Sequence, residues 1–306
     1  MANRPNIKHI ANIVAIAIAY LLLSAFLIGY KMEQLVLVCL FMGCYFISNI
    51  TRKFILGFSV FIIFWIVFDY MKAFPNYHYS HVHLEQLYNA EKSLFGFEHN
   101  GIRITPNEYW LQQHTKFLDV LSGICYLSWV PVPLVFAGVL FFRDKKQFFY
   151  FSLTFLLVNL IGFTIYYIYP AAPPWYVEQY GFAFHAGTPG NTAGLARFDS
   201  HFNVSIFKGL YEKSSNVFAA MPSLHSSYPL IVLFYGIQVK AGKWNLLFAL
   251  LTCGIWFSAV YTSHHYVLDV LAGICCAIVG IMVFRLLATR SRALKKWLDR
   301  AVAAVS

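Results

Sequence analysis

The chain has 306 residues, 59% of them hydrophobic and 12% charged, and carries a formal net charge of +10. That composition excludes an ordinary soluble domain and leaves an integral membrane protein. The positive charge does not point to nucleic acid, because the basic residues fall in alternate loops between apolar runs.

In chain order, apolar runs near the length of about 20 residues that crosses a hydrocarbon core lie at 10–28, 34–50 and 54–71. Arg4 and Lys8 precede the first run and no small-residue cleavage site follows it, so it reads as a retained span. The segment 72–117 comes next. It contains HYSHVH, with His78, His81 and His83, but no nearby cysteine or carboxylate pair completes a metal set, and neither metal nor cofactor is expected. Leu84, Leu87, Tyr88, Glu91 and Leu94 recur at helical spacing, which predicts a short helix over 84–95 lying on the membrane surface.

Further runs follow at 118–142 and 148–169, then a second long segment at 170–224, then runs at 225–239, 245–263 and 266–288. The prediction is an all-α polytopic membrane protein with about eight transmembrane helices and no internal repeat. Four regions result: N-terminal helices (1–71), an extracytoplasmic segment (72–117), a catalytic transmembrane core (118–288) and a basic tail (289–306). Arg4, Lys8, Arg52, Lys53, Arg143, Lys145, Lys146, Lys240, Lys243, Arg285, Arg290, Arg292, Lys295, Lys296 and Arg300 are 15 of the 23 basic residues and share one face. By the positive-inside rule that face is cytoplasmic, with both termini inside. The tail RSRALKKWLDR reads as a basic helix on anionic headgroups. All six cysteines fall within predicted spans and imply neither disulfides nor zinc.

The same topology sends three polar stretches to the outer face. YTSHHYVLDVLAG (261–273) places His265 at the start of the last helix. Asp269 follows four residues later, about 6 Å along the axis and on the same face, so its carboxylate is expected to hydrogen-bond one imidazole nitrogen. The bland alternative is a pair that ties two helices together. AAMPSLHSS (219–227) opens another span, with Pro222 and Ser223 read as a helix start, Ser223 as N-cap, and free amides facing an anion. His225 sits in its first turn, placed to donate a proton. YPAAPPWY (169–176) stiffens the chain with Pro173 and Pro174, and Trp175 with Tyr176 suits either an interfacial anchor or the wall of a site.

At these residues the chain resembles the type 2 phosphatidic acid phosphatase superfamily, and within it the inositol phosphorylceramide synthase branch. Pro222, Ser223, Leu224 and His225 match the second motif, Pro-Ser-x-His; Ser258, Ala259, His265 and Asp269 align on the third, Ser-Arg-x5-His-x3-Asp. Similarity to the synthase branch extends to YPAAPPW and to EKSLFG, and covers roughly residues 84–288. The resemblance implies a six-helix core in which His265 is the nucleophile that forms a phosphohistidine, Asp269 its partner and His225 the acid. Ser223, Pro222, His264, Pro173, Pro174, Trp175 and Arg197 are the accompanying candidates for substrate binding.

Two departures bear on substrate. Ala259 stands where the third motif has arginine, and the first motif's lysine and arginine are absent before Pro170. Fewer cations suit a phosphodiester, with one negative charge, better than a monoester. The resemblance therefore implies a lipid phosphotransferase that passes inositol phosphate from phosphatidylinositol to ceramide and releases diacylglycerol. Arg103, Arg197, Lys208 and Lys213 are outer-side cations that the sequence offers in compensation. A lipid phosphate or pyrophosphate phosphatase, and a non-enzymatic scaffold or transporter, are the competing readings. The short loops fit a bacterial inner membrane with the site facing the periplasm, or the Golgi lumen in a eukaryote. The oligomeric state is open.

Overall fold

The computed structural model describes residues 7–212 and 216–306. Arg4, the Lys8 side chain and Lys213 fall outside the described residues. The first helices are α1 (Ile7–Ile28), α2 (Met32–Ile47) and α3 (Asn49–Tyr70). The segment 72–117 folds as α4 (Glu85–Phe95), an antiparallel hairpin of β1 (Phe97–His99) and β2 (Ile102–Ile104), and α5 (Pro106–Gln112). Next come α6 (Lys116–Leu127), α7 (Pro131–Arg143) and α8 (Lys145–Ile168). The segment 170–224 holds α9 (Pro174–Tyr180), α10 (Ala196–Phe202) and α11 (Ile206–Tyr211). The chain then continues through α12 (Leu224–Gln238), α13 (Trp244–Tyr261), α14 (Val267–Arg290) and α15 (Arg292–Val305).

Each apolar run is helical, and among the described residues six helical segments are long and apolar enough to cross a membrane. The run at 118–142 differs from expectation: it breaks between α6 and α7. Pro131 opens α7 at a position where its missing amide costs nothing, so the break follows from proline geometry. Elsewhere helix starts follow local chemistry. The Asp144 carboxylate accepts from the Gln147 amide at 3.0 Å to start α8, and Ser291 Oγ accepts from Leu294 at 3.2 Å to start α15.

The core is aromatic. Phe61, Phe141, Phe148, Phe151 and Phe155 from α3, α7 and α8 pack with Tyr228, Ile231 and Tyr235 of α12 and Ile281 and Phe284 of α14. Edge-to-face pairs such as Phe151 with Tyr235, at 5.7 Å between centroids, give the helices specific registers that lipid-like side chains would not. In contrast, α1 presents Ile16, Leu22 and Phe26 outward, as lipid contact requires.

Two expectations for surface helices change. The 84–95 helix does not merely lie on the membrane: Leu87 and Glu91 are fully packed against the start of α14, while Leu94 is 66% exposed. The basic tail forms the predicted amphipathic helix, but Leu298 and Val305 are buried in the main core. It is docked on the bundle as well as basic on its outer side.

Candidate active site

The site is built where α13 ends and α14 begins. Helix α13 closes in a Schellman arrangement: the Ser263 amide donates to the Val260 carbonyl at 3.1 Å and the His264 amide to the Ala259 carbonyl at 3.1 Å. This ending needs a left-handed residue, normally glycine, yet Ser263 occupies it with φ 57°. The strain, of order 1–2 kcal/mol, is held by contacts a glycine could not make in full. Ser263 Oγ donates to Glu178 Oε1 at 2.7 Å, and the Trp175 amide donates to the Ser263 carbonyl at 3.0 Å. Burial pushes the Glu178 carboxyl above its ordinary range.

The turn delivers His265 into the interior, 5% exposed. Its Nδ1 lies 3.0 Å from the Ala220 carbonyl oxygen. A carbonyl can only accept, so Nδ1 carries the proton and Nε2 presents a lone pair. Burial holds the imidazole pKa down to about 4, and the ring is neutral near pH 7. Nε2 faces His225 Nδ1 at 3.1 Å. His225 enters from the first turn of α12, partly exposed, with the Trp129 ring edge-on at 4.5 Å between centroids.

Several expected details are corrected. Asp269 does not hydrogen-bond the imidazole: Oδ2 is 3.6 Å from His265 Nδ1 and instead accepts from the Tyr266 amide at 2.8 Å. It is fully buried, and its Oδ1 has no hydrogen-bond partner. The first amides of α14 are taken within the protein, since Glu91 accepts from the Val267 amide at 3.0 Å and the Leu268 amide at 3.1 Å. Ser223 stands at the N-cap position of α12 but its side chain caps no amide; it accepts from Ser226 Oγ at 3.0 Å. Pro222 is held through its carbonyl by the Tyr166 hydroxyl at 3.1 Å.

YPAAPPW works through its backbone. Ala171 bridges His83 on one side and Ala219 on the other, and the Ala220 amide donates to the Ala171 carbonyl at 3.2 Å. The segment therefore fixes the carbonyl that orients His265. Pro173 and Pro174 lead into α9, and Trp175 and Tyr176 are buried inside the protein with Val82, Leu84 and Phe218. The position of His264 is equally enclosed, with Nδ1 3.0 Å from Thr262 Oγ1, Nε2 unpartnered, and a pKa lowered by burial.

Among the described cations that the sequence offered in compensation, Arg103 donates to the Lys92 and Ser93 carbonyls and Lys208 stands exposed beside Glu212. Arg197 lies behind the 261–264 turn, its Nε donating to Asp119 Oδ1 at 2.6 Å, its guanidinium 5.2 Å over the Tyr261 ring, and Nη2 buried without a partner. Tyr261 and His201 complete the Asp119 cluster at 2.8 and 3.2 Å. His83 is stacked on Tyr169 at 3.8 Å. Among the described residues no group of three or more His, Cys, Asp or Glu side chains is placed to hold a metal ion, and all six cysteines are free.

Two side chains of the site lie outside every motif. Tyr126 lies with its hydroxyl 3.2 Å from His225 Nδ1. Asn107 Nδ2 donates to the Val260 and His265 carbonyls at 2.9 and 3.0 Å, clamping the turn. Glu91, the first residue of EKSLFG, stands out as a carboxylate on an apolar stripe.

Compared with known proteins, the chain is 44% identical over 97% of its length, and 98% of the other's, to a phosphoinositol dihydroceramide synthase of Bacteroides thetaiotaomicron. It is 29% identical, over 80% of this chain and 59% of the other, to the inositol phosphorylceramide synthase catalytic subunit of Saccharomyces cerevisiae. With its counterpart from Schizosaccharomyces pombe it shares 31% identity over 54% of this chain and 39% of the other. No solved structure matches the chain. The PAP2 superfamily profile matches residues 85–283, which take in α4, the strap at 169–174 and both histidine-bearing turns; this chain belongs to the PAP2 superfamily.

Proposed function

We propose that the chain is a lipid phosphotransferase that moves inositol phosphate from phosphatidylinositol to a ceramide or dihydroceramide and releases diacylglycerol. The observation that carries this reading is the pair of imidazoles 3.1 Å apart, one of them with its lone pair set by the Ala220 carbonyl. A phosphoryl group that parts them meets a nucleophile on one side and a proton carrier on the other. Similarity to a phosphoinositol dihydroceramide synthase along nearly the whole chain supports the choice of substrates.

In the first in-line displacement His265 Nε2 attacks phosphorus, the bond to the diacylglycerol oxygen breaks, and His225, as the imidazolium it becomes beside the anionic donor, gives that oxygen its Nδ1 proton and is left neutral. The intermediate is inositol phosphate on His265. In the second, the acceptor's hydroxyl oxygen attacks phosphorus, His225 takes its proton, and the phosphorus–nitrogen bond breaks. Asp269, 3.6 Å from Nδ1, balances the positive charge on the ring at its attacking step. Pro222 and Ser223 place His225; Pro173, Pro174 and Trp175 act through the strap and turn; His264 borders the gap and Arg197 braces the turn from behind. Enclosure of the His265 ring, which would carry the phosphoryl group, limits the access of water to the intermediate, which favours transfer over hydrolysis. The basic residues concentrated at the other ends of the helices support a site on the periplasmic side of a bacterial inner membrane.

The test is to supply purified protein with phosphatidylinositol labelled in the headgroup, with and without ceramide. Labelled inositol phosphorylceramide formed only with acceptor supports the reading. Release of inositol phosphate at the same rate without acceptor would make the protein a hydrolase instead.

A further inference from the structure

Tyr126 belongs to an apolar run of α6, yet it is wholly buried beside the reacting histidines. Its ring lies 5.1 Å from that of His225 and 5.4 Å from that of His264, and its hydroxyl is 3.2 Å from His225 Nδ1. Tyr211 of α11 stands behind it, ring 4.6 Å from His264, and the two hydroxyls are hydrogen-bonded. Tyr126 also packs in one cluster with Ala259, which is fully buried.

The hydrogen positions follow from a chain of constraints. His265 Nε2 has no proton, so the contact at 3.1 Å requires His225 Nδ1 to be the donor. The Tyr126 oxygen, on the same Nδ1–H, can then only accept, and its own proton goes to Tyr211. When a phosphoryl group separates the two imidazoles, His225 loses His265 as partner. The Tyr126 oxygen is then the acceptor left to that N–H.

We propose that Tyr126, backed by Tyr211, is a positioning residue for the transfer: its hydroxyl stays beside His225 Nδ1 and keeps that ring aimed at the bridging oxygen while the phosphoryl group occupies the gap, so that the imidazolium form of His225 gives its Nδ1 proton to the leaving oxygen and is left neutral. This rests on the reading of His225 as acid and base. Without the hydroxyl, the ring is free to turn or change tautomer once the donor enters, and proton transfer suffers while binding does not.

The experiment compares wild type, Tyr126→Phe, Tyr211→Phe and His225→Asn on two donors. One is phosphatidylinositol; the other is an inositol phosphodiester with a nitrophenyl leaving group, which departs without a proton. Tyr126→Phe keeps the ring and its packing. It should lower kcat on phosphatidylinositol by about 10- to 100-fold, a share of the 10²–10⁴ typical of general acid–base catalysis, with KM unchanged and the loss largely absent on the nitrophenyl donor. Tyr211→Phe should give a smaller loss with the same donor dependence, and it stands in should Tyr126→Phe not fold. Equal losses on both donors, or no loss, would overturn the inference. If His225→Asn itself shows no donor dependence, the assignment of His225 is what fails; if it does and the tyrosine variants do not, only the role of Tyr126 falls.

Discussion

Gly273→Ala tests whether the spacing of α12 and α14 sets the distance between the two histidines. A Cβ on Gly273 would stand 2.1 Å from the Ser223 carbonyl oxygen and 3.3 Å from Ser226 Cβ. Carbon and carbonyl oxygen rest at about 3.3–3.6 Å, so the helices must part by roughly 1 Å. The opposing atom is backbone and cannot swing away. The contact is also pinned from both sides, since the Ser223 amide donates to the Asp269 carbonyl at 2.9 Å and Ser227 Oγ to the Gly273 carbonyl at 2.7 Å. Overpacking of this kind costs about 1–3 kcal/mol, while a 1 Å misplacement of reacting groups costs about 10² in rate. Gly138→Ala in α7 is the control, because nothing lies within 4 Å of its added Cβ. The assay is turnover of labelled phosphatidylinositol with ceramide, alongside thermal unfolding in detergent. Gly273→Ala should stay folded with a lowered Tm and lose about a hundredfold in kcat, with Gly138→Ala near wild type on both. A folded Gly273→Ala protein with undiminished kcat would refute the claim that this backbone contact positions His225 against His265.

His265→Asn should abolish both turnover and acid-labile phosphate trapped on the protein, whereas His225→Asn should retain slow activity, about 10²–10⁴ below wild type; trapped label in the first variant but not the second would reverse the two roles. Burial pushes Glu91 up to about 7, with its two backbone amides opposing the shift. A carboxyl raised in the folded state stabilises fully below its unfolded pKa near 4.5 and loses that contribution as pH climbs to 7, so Tm should fall across that window by the equivalent of about 3 kcal/mol, and Glu91→Gln should flatten the slope; an unchanged slope would remove Glu91 as its source. Activity should survive EDTA in detergent, and loss with rescue by a divalent ion would return His78, His81 and His83 to consideration. Cysteines at Lys145 and Lys240 should react with an impermeant thiol reagent only after the membrane is opened, and one at Lys208 in intact spheroplasts; the opposite pattern would place the site on the cytoplasmic face.

The spans were legible because hydrocarbon imposes a length and a polarity that each helix must meet alone, whatever it packs against. The break at Pro131 was legible in kind and was missed only because the apolar run continues through it. His225 and His265 were legible because one stands in the first turn of α12 and the other just before the N-cap of α14, each inside a spacing with chemical meaning. Their partners were not. The Ala220 carbonyl that sets the tautomer of His265 is 45 residues away and is a main-chain atom, which leaves no mark in a side-chain pattern. Tyr126 looks like any aromatic of an apolar helix, and Glu91 meets amides 176 and 177 residues distant.

Asp269 is the instructive failure, because two local rules competed for it and only one was applied. Spacing of four residues on a helix does bring its carboxylate toward His265, and the 3.6 Å separation shows the geometry was nearly right. But Asp269 is also the third residue of α14, the position from which a short carboxylate reaches back to the amide at the cap, and the Tyr266 N–H claims it at 2.8 Å. An imidazole has the Ala220 carbonyl as an alternative acceptor; the amide at a buried helix start has none, so the carboxylate goes where an unpaired donor would cost most. The second oxygen is then left buried and unpartnered beside a neutral ring. That is an arrangement of little benefit to the resting state, and in the proposed mechanism its field acts when His265 becomes positive on attacking phosphorus.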